Sequence, residues 1–317
     1  MKQKLKRLTA AWVVLVCCTL SASALPASLI PGGCTVGVKL YTEGLLVTGF
    51  EIGSAAKAAG MKKGDVIVAA DGKAVHTTEA LRECLEEDRV LLTVLRNGKR
   101  ASFYVAPRED AIGAYVKDSV AGIGTVTYYD PNTGAFGALG HGVCGTDAEH
   151  VMPMMAGVVV PSNVTEVRKG SGGDPGELKG EFDVEHIWGE VARNTERGIF
   201  GNLSLPLNGK PLPVGKASEI KRGAATILSN VNGREVRSYD VEIVKVFSHD
   251  TSSNRNLLLQ ITDEELLNKT GGIVQGMSGS PVIQNGRIVG AVTHVLINDP
   301  TRGYGIFIEN MLEAAEQ

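Results

Sequence analysis

Three dipeptides, Asp71-Gly72, Asn97-Gly98 and Asn285-Gly286, each end one strand-like run and begin another. A two-residue hairpin loop follows the twist of its strands only when both central residues take positive φ, and Asx-Gly reaches that geometry at least cost. The flanking runs are apolar and rich in β-branched residues: Leu91–Leu95 with Ala101–Val105, and Pro281–Ile283 with Arg287–Val292. The 39 glycines and the 5% of aromatic residues agree with this pattern, pointing to a mainly β, turn-rich chain rather than a helical bundle. A length of 317 residues suggests two or three domains. The formal net charge of -3 carries no basic footprint, which argues against nucleic-acid binding.

The N-terminus reads as an address. Lys2, Lys4, Lys6 and Arg7 precede an apolar run from Leu8 to Leu20, and Ala22-Ser23-Ala24 offers a cleavage pattern. No charge appears between Arg7 and Lys39, so residues 1–30 are expected to act as a signal peptide or a retained membrane anchor. In both cases the basic head stays cytoplasmic and the remainder is exported. Cys34, Cys84 and Cys144 are the cysteines beyond this segment. Their odd number and irregular spacing give no disulfide framework and no metal site, and leave a Cys34–Cys84 pair open. Cys144, three residues after His141, reads as a small buried thiol.

Residues 31–108 read as a small β-domain with one amphipathic helix at Thr77–Leu85, whose Ala80, Leu81, Cys84 and Leu85 form one stripe. The stretch Gly53-Ser54-Ala55-Ala56 through Gly64-Asp65-Val66-Ile67 to Asp71-Gly72 resembles bacterial PDZ domains. The resemblance implies a module that takes up an extended peptide as an added strand, with a loop holding its end group. The glycine-rich loop before Val38 is the candidate holder, with Gly33, Val36, Gly37 and Val38 as peptide-binding residues, because glycines let several amides converge on one carboxylate.

Residues 109–317 contain short strands and turns consistent with a barrel or sandwich. Here Ser278 stands in Gly276-Met277-Ser278-Gly279-Ser280-Pro281, and His141 follows Phe136-Gly137-Ala138-Leu139-Gly140. A Gly-x-Ser-Gly turn folds tightly enough for the amides of Gly276 and Ser278 to converge beside the serine oxygen, as an oxyanion hole requires. His294 reads as a packed or substrate-side residue, and His76, His150, His186 and His249 as surface or polar-network residues. Thr262 and Glu265 have capping-box spacing, so on its own Asp263 reads as a first-turn acid of a helix. Lys169–Gly180 forms a glycine-rich loop that suits either a cleft wall or an exposed connector open to self-cleavage.

The order of histidine and serine resembles chymotrypsin-type double barrels, with Ser280 where those enzymes usually carry glycine. The Phe136–His141 stretch, the Lys169–Glu177 loop and Gly272–Pro281 through Gly305 are similar to the stage IV sporulation protein B family, and the resemblance extends over the whole chain. It implies a PDZ-containing serine endopeptidase with a chymotrypsin-like peptidase domain and a catalytic set of His141, Asp263 and Ser278. Asp263 is selected by the resemblance alone. The implied partner is the extracytoplasmic part of a regulatory membrane protein, cut, along with the enzyme itself, to activate a late sporulation sigma factor. The implied location is the space between the membranes of a developing spore. No cofactor is expected. The competing readings are a PDZ scaffold with an inert peptidase domain and a general envelope quality-control protease.

Overall fold

Strands dominate the computed structural model, which describes residues 26–108, 111–145, 151–248 and 254–316. Most of the expected leader (residues 1–25), together with His150 and His249, lies outside the described residues. All three Asx-Gly pairs take positive φ at both positions, as their hairpins demand: 47° and 79° at Asp71-Gly72, 51° and 72° at Asn97-Gly98, 50° and 72° at Asn285-Gly286.

The chain opens with β1 (Ser28–Pro31) and β2 (Thr35–Phe50), a strand of 16 residues. A small module follows: α1 (Ala55–Ala58), β3 (Val66–Ala70), β4 (Lys73–Ala74), α2 (Thr78–Glu83), β5 (Val90–Arg96) and β6 (Lys99–Val105). Ser54 and Thr77 cap its two helices by accepting the amides of Lys57 and Ala80. Leu45, Ile67, Leu81, Leu92 and Val94 fill its core. Asp65, 1% exposed, ties its turn together by accepting from the Lys62 amide and pairing with Arg96 at 2.6 Å.

Then β7 (Ala114–Tyr129), β8 (Ala135–Ala138), β9 (Met154–Arg168), β10 (Glu177–Phe182), β11 (Gly189–Thr195), β12 (Gly198–Leu203) and β13 (Leu212–Pro213) follow in order. Six strands close into a first barrel in the order β7-β8-β12-β11-β9-β2, with β2 pairing back onto β7. Val36, Leu40, Val126, Phe136 and Ile199 pack inside. The second barrel comprises β14 (Gly223–Ser229), β15 (Arg237–Val246), β16 (Leu257–Ile261), β17 (Pro281–Gln284), β18 (Arg287–Leu296) and β19 (Asp299–Phe307). It closes in the order β14-β15-β16-β19-β18-β17 around Ile227, Ile243, Leu259 and Val292. Helix α3 (Glu264–Thr270) lies between β16 and β17. The terminal helix α4 (Ile308–Glu316) buries Ile308 and Met311 against Phe200 of the first barrel and Ile306 of the second, joining the two. This is the double-barrel architecture of chymotrypsin-like peptidases, joined to a PDZ domain.

The structure corrects one site expectation here. Residues 35–41 of β2 belong to the first barrel, paired with β7 on one edge and β9 on the other. Gly33 donates its amide to the Val126 carbonyl at 2.8 Å, and Val36, Gly37 and Val38 lie inside the two-sided pairing. Neither an open edge nor a cluster of free amides remains for a peptide carboxylate. The strand continues across a register shift between Tyr41 and Leu46 to serve both bodies, and its barrel partners come from far along the chain.

Candidate active site

The serine turn is built by hydrogen bonding that satisfies its neighbours and leaves two donors over. Gln275 donates to the Gly176 carbonyl at 3.2 Å, Met277 to Val274 at 3.1 Å, Gly279 to Val292 at 2.7 Å and Ser280 to Met277 at 3.0 Å. The amides of Gly276 and Ser278 have no such partner among the described residues, and both residues line one cavity. Buried backbone N–H groups are nearly always paired, so two free ones beside a serine hydroxyl form a ready anion site. From β7, Thr125 donates its hydroxyl to the Gly276 carbonyl (2.7 Å) and its amide to the Ser278 carbonyl (3.0 Å), and Thr127 donates to Gly279 (2.8 Å). Gly279 sits at φ 98°, and a Cβ there would run into the Thr125 carbonyl and the Leu139 backbone. The buried Met277 anchors the turn from beneath. Ser280 is also buried, and its hydroxyl has no partner among the described residues.

His141 reaches the same cavity from the first barrel. After β8 the chain passes through two left-handed residues, Leu139 at φ 70° and Gly140 at 69°. A leucine in that region costs about 1–3 kcal/mol, a strain held here by packing against β7. The His141 Nδ1 lies 2.9 Å from the Gly142 carbonyl. A carbonyl only accepts, so Nδ1 carries the hydrogen and Nε2 is left with its basic lone pair. Burial lowers the pKa of His141, the hydrogen bond to Gly142 partly opposing it, so the ring is neutral at physiological pH. His294 stands beside it with ring centroids 5.2 Å apart. Desolvation, then the neighbouring His141 and Arg255, push His294 down to about 4.

The cavity, about 820 Å³, is lined by His141, Ser278, Gly276, Thr293 and His294. In this conformation the Ser278 hydroxyl donates to the Thr293 carbonyl at 2.9 Å. Rotation about its χ1 releases that bond, and catalytic contacts commonly tighten only when substrate is bound. Pro175, from the glycine-rich loop, also lines the cavity, while Leu178 donates to the Gln275 carbonyl at 2.8 Å. This loop is therefore a cleft wall that braces the serine turn.

Asp263 is elsewhere. It is the N-cap of α3, its Oδ1 accepting the Leu266 amide at 2.9 Å and its Oδ2 the Asp240 amide at 3.3 Å, and it does not line the cavity. Asp263 thus stands apart from the cavity that holds His141 and Ser278, one oxygen capping α3 and the other accepting from the Asp240 amide of β15. Among the described residues lining the cavity the one carboxylate is Glu196, in the turn between β11 and β12, whose backbone carbonyl accepts from the Gly142 amide at 3.2 Å. Nothing local in Thr195-Glu196-Arg197 marks it, because its proximity to His141 arises only when the barrel closes. Cys34 and Cys84 are free thiols and do not pair, and burial pushes Cys34 up to about 12. No group of His, Cys, Asp and Glu among the described residues has the arrangement of a metal site. None of the described helices is long and apolar enough to cross a membrane.

Residues 108–312 match the family described as SpoIVB peptidase S55, well over half of the chain. The chain belongs to that family. Residues 46–96 match a PDZ domain. A 90-residue stretch is 39% identical to the probable periplasmic serine endoprotease DegP-like of Chlamydia trachomatis serovar D, covering 26% of this chain and 18% of that protein. The chain thus spans less than a fifth of that relative. Among solved structures, the active form of the Rv3671c protease of M. tuberculosis is 15% identical over 60% of this chain and 71% of its own, with a TM-score of 0.35. Human heparin binding protein is 12% identical over 61% and 83%, with a TM-score of 0.33.

Proposed function

We propose that this SpoIVB-type peptidase cleaves the extracytoplasmic part of a regulatory membrane protein, and itself, in the signalling that activates a sporulation sigma factor. It does so exported and held at the membrane by its N-terminus. The basic head and apolar run of the first residues support the export, and membership in the family supports the sporulation role.

In the chemistry, Ser278 Oγ attacks the scissile carbonyl as its proton passes to Nε2 of His141. The carbonyl oxygen becomes an oxyanion held by the amides of Gly276 and Ser278. The C–N bond then breaks, and His141 returns the proton to the leaving amine. Water repeats the sequence on the acyl-enzyme, releasing the new carboxylate and restoring the hydroxyl. The Gly142 carbonyl keeps the imidazole in the required tautomer and supports it while it is cationic. Each oxyanion donor contributes about 2.7–4 kcal/mol in comparable sites. The observation that carries this reading is the pair of unpartnered amides flanking Ser278 in a cavity shared with His141.

The test uses a fluorophosphonate probe. Wild type is expected to be labelled, with Ser278→Ala unlabelled and His141→Ala strongly slowed. Co-expression with a membrane-tethered regulatory segment is expected to yield cleavage with wild type only. An unlabelled wild type would leave the inert-scaffold reading standing.

A further inference from the structure

The strand edge expected to bind a peptide is covered, and another strand presents an open one. Strand β7 pairs with β2 along nearly its whole length, from Thr125↔Thr35 to Ala114↔Phe50. On its opposite edge, pairing with β8 involves only residues 126–129, while β1 continues the β2 edge. Among the described residues nothing pairs with that edge from 114 to 124, and Tyr115, Lys117, Ala121 and Gly122 are exposed.

The two ends of this edge lead to different places. At Thr125 both backbone groups face the catalytic loops, the amide donating to the Ser278 carbonyl and the carbonyl accepting at 3.2 Å from Leu139, two residues before His141. A strand repeats every two residues, so Ile123, Ala121 and Ser119 aim their N–H and C=O groups the same way. Residues 120–123 line the catalytic cavity. The other end of β7 packs against α2, the capped helix of the PDZ domain. PDZ domains bind extended peptides by strand addition, and here the open strand beside that helix belongs to β7.

We propose that the free edge of β7 is one continuous docking track for the substrate, running from Ser278 to the PDZ helix. Its occupant is an extended polypeptide segment added as an antiparallel strand. Because β7 runs towards the serine, an antiparallel partner places its residues C-terminal to the scissile bond along β7, with their far end at α2. From Ile123 to Tyr115 this spans about eight residues at ~3.3 Å each. The proposal rests on the peptidase reading and adds which side of the cut bond the PDZ domain engages.

The experiment presents a proteome-derived peptide library of varied length to the full-length enzyme and maps each cut by mass spectrometry. Cut peptides are expected to carry about eight or more residues after the cleaved bond. Synthetic versions of the best one, shortened to about three residues on that side, are expected to show KM raised at least about tenfold with kcat little changed. Tenfold is what the loss of two or three net hydrogen bonds amounts to. Proline at Ala121 removes an outward N–H, a change that edge strands tolerate, and Ala121→Pro is expected to abolish the length preference once its thermal transition confirms folding. Should the variant not fold, the wild-type length series decides alone. Equal cutting of long and short peptides, a dependence on N-terminal length instead, or no cutting at all by an enzyme that fluorophosphonate labels would each overturn the track. An enzyme that fluorophosphonate does not label points instead to failure of the peptidase reading.

Discussion

At the scale of single residues, the site divides its two histidines by environment. His141 works only when neutral, and its pKa is lowered, so activity should persist below the ordinary histidine range and vanish as pH falls through the depressed value. The acid limb of kcat/KM is expected below 6.5, the unperturbed value. His294, at about 4, is already neutral across most of that range. His294→Gln is therefore expected to leave the limb close to its place, whereas His141→Gln abolishes turnover; a pH–rate profile of both variants checks this. Asp263 gives a complementary prediction. Asn caps helices as well as Asp, so Asp263→Asn should retain both stability and kcat, and Asp263→Ala should cost about 1 kcal/mol in denaturant unfolding with kcat near wild type. A hundredfold drop in kcat for Asp263→Asn at unchanged stability would return this carboxylate to the catalytic set.

The elements that matter most are β7 and the serine turn. A turn of positive-φ glycines has little rigidity of its own, and three carbonyls of this one are held by Thr125 and Thr127. Thr125→Val keeps the shape and removes the hydroxyl, leaving the buried Gly276 carbonyl without its donor at a cost of about 1–3 kcal/mol. The expected result is a lower kcat and slower fluorophosphonate labelling with KM less affected, measured by steady-state kinetics alongside thermal unfolding. The Asx-Gly hairpins and the Gly-x-Ser-Gly turn were both legible, since each depends on a few adjacent residues whose φ preferences are intrinsic.

For the whole molecule, two strands of 16 residues, β2 and β7, cross between the PDZ domain and the first barrel. Neither body can lose its sheet without exposing an edge of the other. Scanning calorimetry is expected to give one cooperative transition for these two parts, and a fragment of residues 31–108 alone is expected not to fold, because β2 would lose both barrel neighbours. Two independent transitions, or a folded fragment, would contradict the shared-strand architecture.

By itself the sequence determined the β-rich class, the PDZ-like module, the hairpins and the serine turn, because each follows from local backbone preference or a short apolar pattern. It also marked His141 and Ser278 as the residues worth bringing together. Only the tertiary structure decided which strand edges are open, that Asp263 caps a helix while Glu196 borders the cavity, and that the chain beside the PDZ helix continues into the catalytic cleft. Those outcomes depend on pairing between residues far apart in the chain, such as Val36 with both Gly124 and Pro161, and no local propensity encodes which distant strand arrives on which side.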